Sequence, residues 1–176
     1  MMLEKKLQET FDNRRYYLDL RDMGLTEIPK EVMKMEFLQN IALSRNNIAD
    51  LSVLSALPQL RKVTVTDNCI EDISIFKNFT RLKYLFACGN RISDLSPLAE
   101  KTTLKKLVLC RNCICDITPL GTLPSLVYLD ISNNGIKNFA PLHRLSELRY
   151  FAGSGNVAAI DQKELKKEIP SLHVVR

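Results

Sequence analysis

The sequence predicts an α/β fold: a right-handed solenoid with a parallel, concave β-sheet of about seven short strands, short helical or 3-10 turns on the convex side, and helical caps at both ends. Three observations predict it. Asparagines recur at a fixed interval, with Asn46, Asn68, Asn90, Asn112, Asn134 and Asn156 each 22 residues apart. The same apolar frame precedes each one, and it is complete from Leu126 to Leu142 as L-x-x-L-x-L-x-x-N-x-I-x-x-F-x-x-L, with Ile131 in the third leucine position. The middle of the frame alternates apolar and polar residues as a strand does, with Ile41/Leu43, Val63/Val65, Leu85/Ala87, Leu107/Leu109 and Leu129/Ile131 pointing inward. A period of this length marks stacked units that share one continuous core.

The L-x-x-L-x-L-x-x-N core is the signature of a leucine-rich repeat. One domain over 1–176 is expected, with an N-terminal cap at 1–15, repeats at 16–157 and a C-terminal cap at 158–176. In the first segment Leu3, Leu7 and Phe11 recur every fourth position among charged residues, an amphipathic helix suited to covering the open end of the first coil. The first repeat carries Met23 where later ones carry Asn and is one residue longer, which suits a coil with no preceding neighbour. In the others the Asn ends each strand, and its amide can both donate and accept where backbone groups leave the ladder.

A second apolar set follows each Asn: Ile48/Leu51/Leu54, Ile70/Ile73/Phe76, Ile92/Leu95/Leu98, Ile114/Ile117/Leu120 and Ile136/Phe139/Leu142. These build the convex wall, and Leu57, Phe79, Leu123 and Leu145 close the coils. Ser96-Pro97 and Thr118-Pro119 read as an N-cap followed by proline at the first helical position. Lys101 interrupts the closing column, so residues 99–103 are expected to be irregular or solvent-facing. After Asn156, Asp161-Gln162-Lys163-Glu164 reads as a capping box opening a helix with Leu165 and Ile169 on one face, ended by Pro170, and Leu172 and Val175 lie against the last coil.

Composition bounds the function classes. A net charge of +5 permits an acidic partner, although the 25 basic residues are dispersed among 20 acidic ones. Charges at Glu4, Lys5 and Lys6 break the apolar run that a signal peptide needs, and no uncharged run approaches a bilayer span. Five cysteines, at 69, 88, 110, 113 and 115, lack the even count of a disulfide framework and fit a reducing compartment. The expected location is the cytoplasm, with the nucleus and the cilium as alternatives, and no membrane contact.

The 22-residue period and the tails Ile92-Ser93-Asp94-Leu95-Ser96-Pro97-Leu98 and Ile114-Cys115-Asp116-Ile117-Thr118-Pro119-Leu120 resemble one repeat class in particular. The regulatory leucine-rich subunit of type-1 protein phosphatase, the leucine-rich light chain of axonemal dynein and bacterial internalins share it, and the resemblance covers about residues 17–157. Lys163 to Leu172 looks like the C-terminal cap of the eukaryotic members, which implies an intracellular protein. The resemblance implies a partner bound on the concave face, at the outward positions of the strands.

Those positions form columns. The first holds Tyr17, Asn40, Lys62, Tyr84, Lys106, Tyr128 and Tyr150; the next holds Asp19, Ala42, Thr64, Phe86, Val108, Asp130 and Ala152; the column before the tyrosines holds Arg61, Lys83, Lys105 and Arg149. An exposed Phe86 and Val108 flanked by Tyr84 and Tyr128 make a central hot spot, since rigid aromatic area costs little entropy to bury. Arg61, Lys62, Lys83, Lys105 and Lys106 favour an acidic protein surface. Strand exteriors favour aromatic and β-branched residues in any case, which is the competing packing explanation. The expected function is a non-enzymatic, monomeric interaction module, regulatory or scaffolding.

Two alternatives stand beside it. Tyrosines interleaved with Lys and Arg could stack on and neutralise a single nucleic-acid strand, but no nucleic-acid motif accompanies them. Cys88, Cys110, Cys113 and Cys115 could serve a metal or redox role; Cys88 and Cys110 share a column at a separation that permits a disulfide, but free thiols are the expected state, with no metal or cofactor. No catalytic residues are assigned: His143 and His173 are both expected outside the concave strip, so no Ser or Cys has a histidine partner.

Overall fold

A computed structural model describes residues 2–159 and 161–175. Helix α1 (Met2–Asp12) precedes strands β1 (Tyr17–Asp19), β2 (Asn40–Ala42), β3 (Lys62–Thr64), β4 (Tyr84–Phe86), β5 (Lys106–Val108), β6 (Tyr128–Asp130) and β7 (Tyr150–Ala152). Helix α2 (Gln162–Glu168) and strand β8 (His173–Val175) complete the chain. Among the described residues the sheet has eight parallel strands in sequence order, one more than expected. The extra strand arises because Pro170 cannot continue α2 and the chain turns back beside β7, where the His173 N–H donates to the Arg149 carbonyl at 2.7 Å.

Each strand is three residues long, because the frame supplies inward apolar side chains for only that distance before the Asn turn. Pairing keeps equivalent residues opposite one another, so Lys62, Tyr84 and Lys106 face each other across adjacent strands, as do Val63, Leu85 and Leu107. Inward residues, convex wall and closing column are all buried, and the column Leu38, Leu60, Leu82, Leu104, Leu126 and Leu148 joins them into one continuous core. Fully burying each such side chain is worth roughly 1.5–3 kcal/mol before chain entropy is counted.

The asparagines tie each coil to the one before. Asn90 accepts from the Ile70 N–H at 3.0 Å and donates to the carbonyls of Val65, Ala87 and Cys88 at 2.9, 3.1 and 3.3 Å. The same pattern recurs at Asn68, Asn112, Asn134 and Asn156. Asn46 reaches back to Leu20, Met23 and Leu25. An amide at position 23 would find no coil in front of it, which accounts for Met23.

On the convex side the turns are 3-10, at Lys30–Lys34, Ser52–Ala56, Ser74–Asn78, Ser96–Leu98, Thr118–Thr122 and Ala140–Arg144. Ser96 and Thr118, expected to be N-caps, are not: the N-cap positions fall on Leu95 and Ile117. Both residues lie inside their turns, and the capping acceptor stands two residues earlier: Asp94 accepts from the Ser96 N–H and Asp116 from the Thr118 N–H, both at 2.8 Å. Asp50, Asp72 and Asn138 play the same part in their own coils. A side-chain carboxylate bonding backbone two residues on is an Asx turn, which sets the bend before the 3-10 turn begins.

Residues 99–103 are irregular, as expected: the preceding 3-10 turn is only three residues long and Glu100 has φ 60°. They are not solvent-facing at Lys101. Its stem fills the column where other coils place Leu or Phe, it is 9% exposed, and its Nζ donates to the Lys77 carbonyl at 2.6 Å. Burial pushes the Lys101 ammonium below its ordinary pKa.

The caps behave unequally. Leu7 is buried under α1, but Phe11 is 44% exposed and packs on Phe37 with ring centroids 6.3 Å apart. In the C-terminal cap Leu165, Ile169 and Leu172 are buried, and Asp161 accepts from the Lys163 N–H at 2.9 Å, the N-cap half of the expected capping box. The side chains of Glu164 and Val175, invoked in the other half and in the last contact, lie outside the described residues.

Candidate partner-binding face

The sheet brings the first outward column together as one row across all eight strands: Tyr17, Asn40, Lys62, Tyr84, Lys106, Tyr128, Tyr150 and His173. His173 was expected outside the strip and instead extends it. Its ring stacks on Tyr150 at 5.7 Å and 24°, and Tyr150 in turn stands 6.1 Å from Tyr128. His143 lies in a convex 3-10 turn, off the strip.

The centre of the row is built from cations against rings. The Lys106 Nζ sits 3.8 Å from the Tyr128 centroid and 5.6 Å from that of Phe86, and the Lys62 Nζ stands 5.4 Å from Phe86 on the opposite side. Register explains this: Phe86 is in β4, and the two lysines come from β3 and β5 on either flank. Cation–π contacts of this kind contribute about 0.5–1 kcal/mol at exposed sites and hold long side chains in place. Phe86, flanked by the two lysines, and Val108 beside it were expected to be exposed and are half-buried, while Tyr17, Tyr84 and Tyr150 stand further out. Ala42 and Ala152 are buried, so the second column is recessed towards both ends.

Charges are arranged differently along the two margins of the sheet. On the margin where the chain enters the strands, Arg61, Lys83, Lys105 and Arg149 form the expected column, and among the described residues none of them has a carboxylate within ion-pair distance. Where the chain leaves the strands, charges are matched. Arg45 pairs with Asp22 at 2.5 Å and Arg111 with Asp67 at 2.8 Å. At the N-terminal end Arg21 bonds both oxygens of Asp19, at 2.9 and 2.7 Å, and its guanidinium holds that carboxyl well below the usual carboxylate range. Burial, with Asp19 adding to it, pushes the Tyr17 phenol up. Asp130 turns inward to the backbone and accepts from the Ser132 N–H at 3.0 Å.

The second margin was not read from the sequence. Asp22, Arg45, Asp67, Gly89, Arg111, Asn133 and Gly155 occupy one corner of successive coils, all with φ between 54° and 71°. A run of Asp, Asn, Gly and Arg at the repeat spacing was the available signal. Gly89 has a second role here. A Cβ there would fall on the Asp67 carboxylate, and its absence lets Arg111 reach across a whole coil to Asp67.

The expectation of free thiols holds for Cys69, Cys113 and Cys115, not for Cys88 and Cys110, which are joined by a disulfide. Their Cα atoms are 4.6 Å apart, the ordinary spacing of neighbouring strands, so the bridge fits between coils without displacing either. Among the described residues no three His, Cys, Asp or Glu side chains gather as a metal site. A groove of about 420 Å³ lies between α1 and the Lys30–Lys34 turn, lined by Leu3, Leu7, Phe11, Pro29 and Met35, and it belongs to the N-terminal cap, not to the strip.

Residues 58–100 and 102–142 each match the family of leucine-rich repeats described in pairs of copies. The chain is a leucine-rich-repeat protein of the 22-residue class. Solved structures with the same solenoid include an internalin (inlF) from Listeria monocytogenes, 30% identical over 90% of this leucine-rich-repeat chain with a TM-score of 0.84. Internalin C2 from the same organism is 27% identical over 91% of the chain and 70% of its own length, with a TM-score of 0.81. A leucine-rich-repeat protein of Leptospira interrogans is 20% identical over 86% of the chain and 40% of its own, with a TM-score of 0.78, and shares the fold alone. The chain spans just under half, 46%, of the length of the first internalin. No curated protein sequence matches it.

Proposed function

We propose that this leucine-rich-repeat chain is a non-enzymatic module that docks one protein partner into its concave strip. Tyr84, Phe86, Val108 and Tyr128 are the anchors, and Lys62, Lys105 and Lys106 orient an acidic partner surface. The observation that carries this reading is the Lys62–Phe86–Lys106–Tyr128 stack, in which cations and rings hold one another in place before any partner arrives. Side chains already ordered lose little entropy on binding, and rigid aromatic area flanked by charge is the composition of interface hot spots.

The test is capture of partners from native lysate by wild type and by a Tyr84→Ala/Phe86→Ala/Lys106→Glu variant whose fold is checked by circular dichroism. A protein captured by wild type and lost from the folded variant supports the strip. Equal capture by both moves the site to the convex side or the caps. With a partner in hand, Phe86→Ala alone should cost more than about 2 kcal/mol of affinity, and undiminished binding removes Phe86 from the anchors.

A further inference from the structure

The two margins of the concave sheet differ in a way that restricts what can lie between them. Along the outgoing margin three charge pairs cancel, Asp19 with Arg21, Asp22 with Arg45, and Asp67 with Arg111, and Asp130 is held on the Ser132 N–H with no cation paired to it among the described residues. Along the incoming margin Arg61, Lys83 and Lys105 stand on three consecutive coils, Arg149 follows two coils later, and among the described residues these cations have no carboxylate partners. Sequence reinforces the contrast, since Arg81 adds a further cation just before β4, whereas Glu36 and Glu147 precede only outer strands. The trough between the margins is apolar and aromatic at Phe86, Val108 and Tyr128. A ligand complementary to this surface is acidic along one flank only and apolar beside it.

The spacing of the cations selects its conformation. Equivalent residues on neighbouring parallel strands recur about every 4.8 Å. An acidic residue once per turn of an α-helix recurs about every 5.4 Å. Over the span from Arg61 to Lys105, two coils, the mismatch is about 1 Å, within the reach of flexible Lys and Arg stems. Same-face residues of an extended strand recur about every 6.8 Å and drift by about 4 Å over the same two coils. We infer that the concave face takes an amphipathic α-helix laid along the stacking axis, across the strands, with a one-per-turn acidic stripe against Arg61, Lys83 and Lys105 and an apolar stripe on Phe86 and Val108. This inference rests on the strip being the binding site, and it adds the secondary structure, polarity and orientation of the occupant.

The test uses three synthetic probes with the full chain, read by fluorescence anisotropy. One is an eighteen-residue helical peptide with glutamates once per turn on one flank and leucines on the adjoining stripe. The second keeps the same numbers of glutamates and leucines in scrambled order, with proline inserted to block the helix, and the third is an oligothymidylate of similar charge. The helical peptide should bind at least about tenfold more tightly than either of the others, the factor expected from two correctly placed charge pairs and one buried apolar stripe. Lys83→Glu/Lys105→Glu should weaken it at least about tenfold, whereas Arg21→Glu on the matched margin should leave it within about twofold. Equal affinity for the scrambled peptide overturns the helix while leaving the strip in place. Tighter binding of the oligothymidylate overturns the protein helix in favour of a nucleic-acid strand. Helix binding that survives Lys83→Glu/Lys105→Glu but falls with Phe86→Ala overturns the charged register alone. Helix binding that survives both sets removes the strip itself, and no detectable binding of the helical peptide at 1 mM overturns the inference, with partner capture still testing the strip independently.

Discussion

Replacing Asn90 by alanine is the sharpest perturbation of the fold, because each hydrogen bond it removes can be followed to its consequence. The three carbonyls that receive the Asn90 amide keep other donors: Val65 retains Asn68, Ala87 retains Asn112, and Cys88 retains the Asp67 N–H. The Ile70 N–H keeps nothing, since its acceptor is the Asn90 Oδ1 at 3.0 Å in a buried site. One orphaned buried donor costs about 1–3 kcal/mol, and three thinned carbonyl interactions with the small cavity add about 1 kcal/mol more. Asn90→Ala should therefore lose about 3 kcal/mol, or about 9 °C in Tm for a chain of this size. Met23→Asn, which adds the same side chain where no earlier coil waits for it, should change stability by less than about 0.5 kcal/mol. Asn90→Asp keeps the acceptor for Ile70 but turns a carboxylate oxygen towards carbonyls. Its native pKa is then raised above the unfolded value, so its deficit is greatest above the native pKa and shrinks as pH falls through it. Urea unfolding of the variants near pH 7 and pH 4 measures all of this. A loss below about 1 kcal/mol for Asn90→Ala would mean that water satisfies the Ile70 N–H and that the ladder is not what holds the coils in register.

Three further outcomes follow from features described above. Lys101→Met exchanges a buried cation for an apolar side chain and should gain about 1 kcal/mol at pH 7, net of the lost bond to the Lys77 carbonyl. Because the native pKa of Lys101 is lowered from 10.5 by burial, wild type recovers that cost as pH rises between the native and unfolded values, so the advantage should fade by pH 10.5 in chemical melts. Cys88→Ser/Cys110→Ser, or reduction of wild type, opens a closed loop of 22 residues and should cost about 3 kcal/mol, while the circular dichroism spectrum stays unchanged because the bridge spans an ordinary strand spacing. Gly89→Ala forces a side chain to φ 66° and onto the Asp67 carboxylate; about 1–2 kcal/mol of left-handed strain should appear in thermal melts, and Gly89→Asn should be milder.

Nearly all of the scaffold was legible in the chain because packing is periodic and so is the sequence: every Leu, Ile or Phe assigned to the convex wall is buried. What escaped depends on relations between coils, not on the frame within one. Phe86 was placed in the correct column, but its two flanking lysines became visible only when β3 and β5 were set on either side of β4. His173 lies beyond the last Asn of the repeat, so no periodicity pointed to the strand that carries it. Lys101 was read by its head group, whereas its stem is what fills the coil. The cysteine count suggested thiols because five cannot all pair, yet pairing is decided locally, by two residues at the same height of neighbouring strands.

The asparagine ladder also gives the solenoid a direction in time. Every Asn reaches backwards, so the turn of one coil is finished by a side chain that belongs to the next: Ile70 waits for Asn90, Ile92 for Asn112, and Ile114 for Asn134. A chain emerging N-terminus first therefore carries a single incomplete turn at its growing tip, healed with each further 22 residues. Trimming coils from the front leaves an idle amide, the situation that methionine at position 23 avoids, but trimming from the back strands a donor. Deletions of equal length at the two ends should thus be unequal in cost, and a shortened version of this protein is better cut from its beginning than from its end.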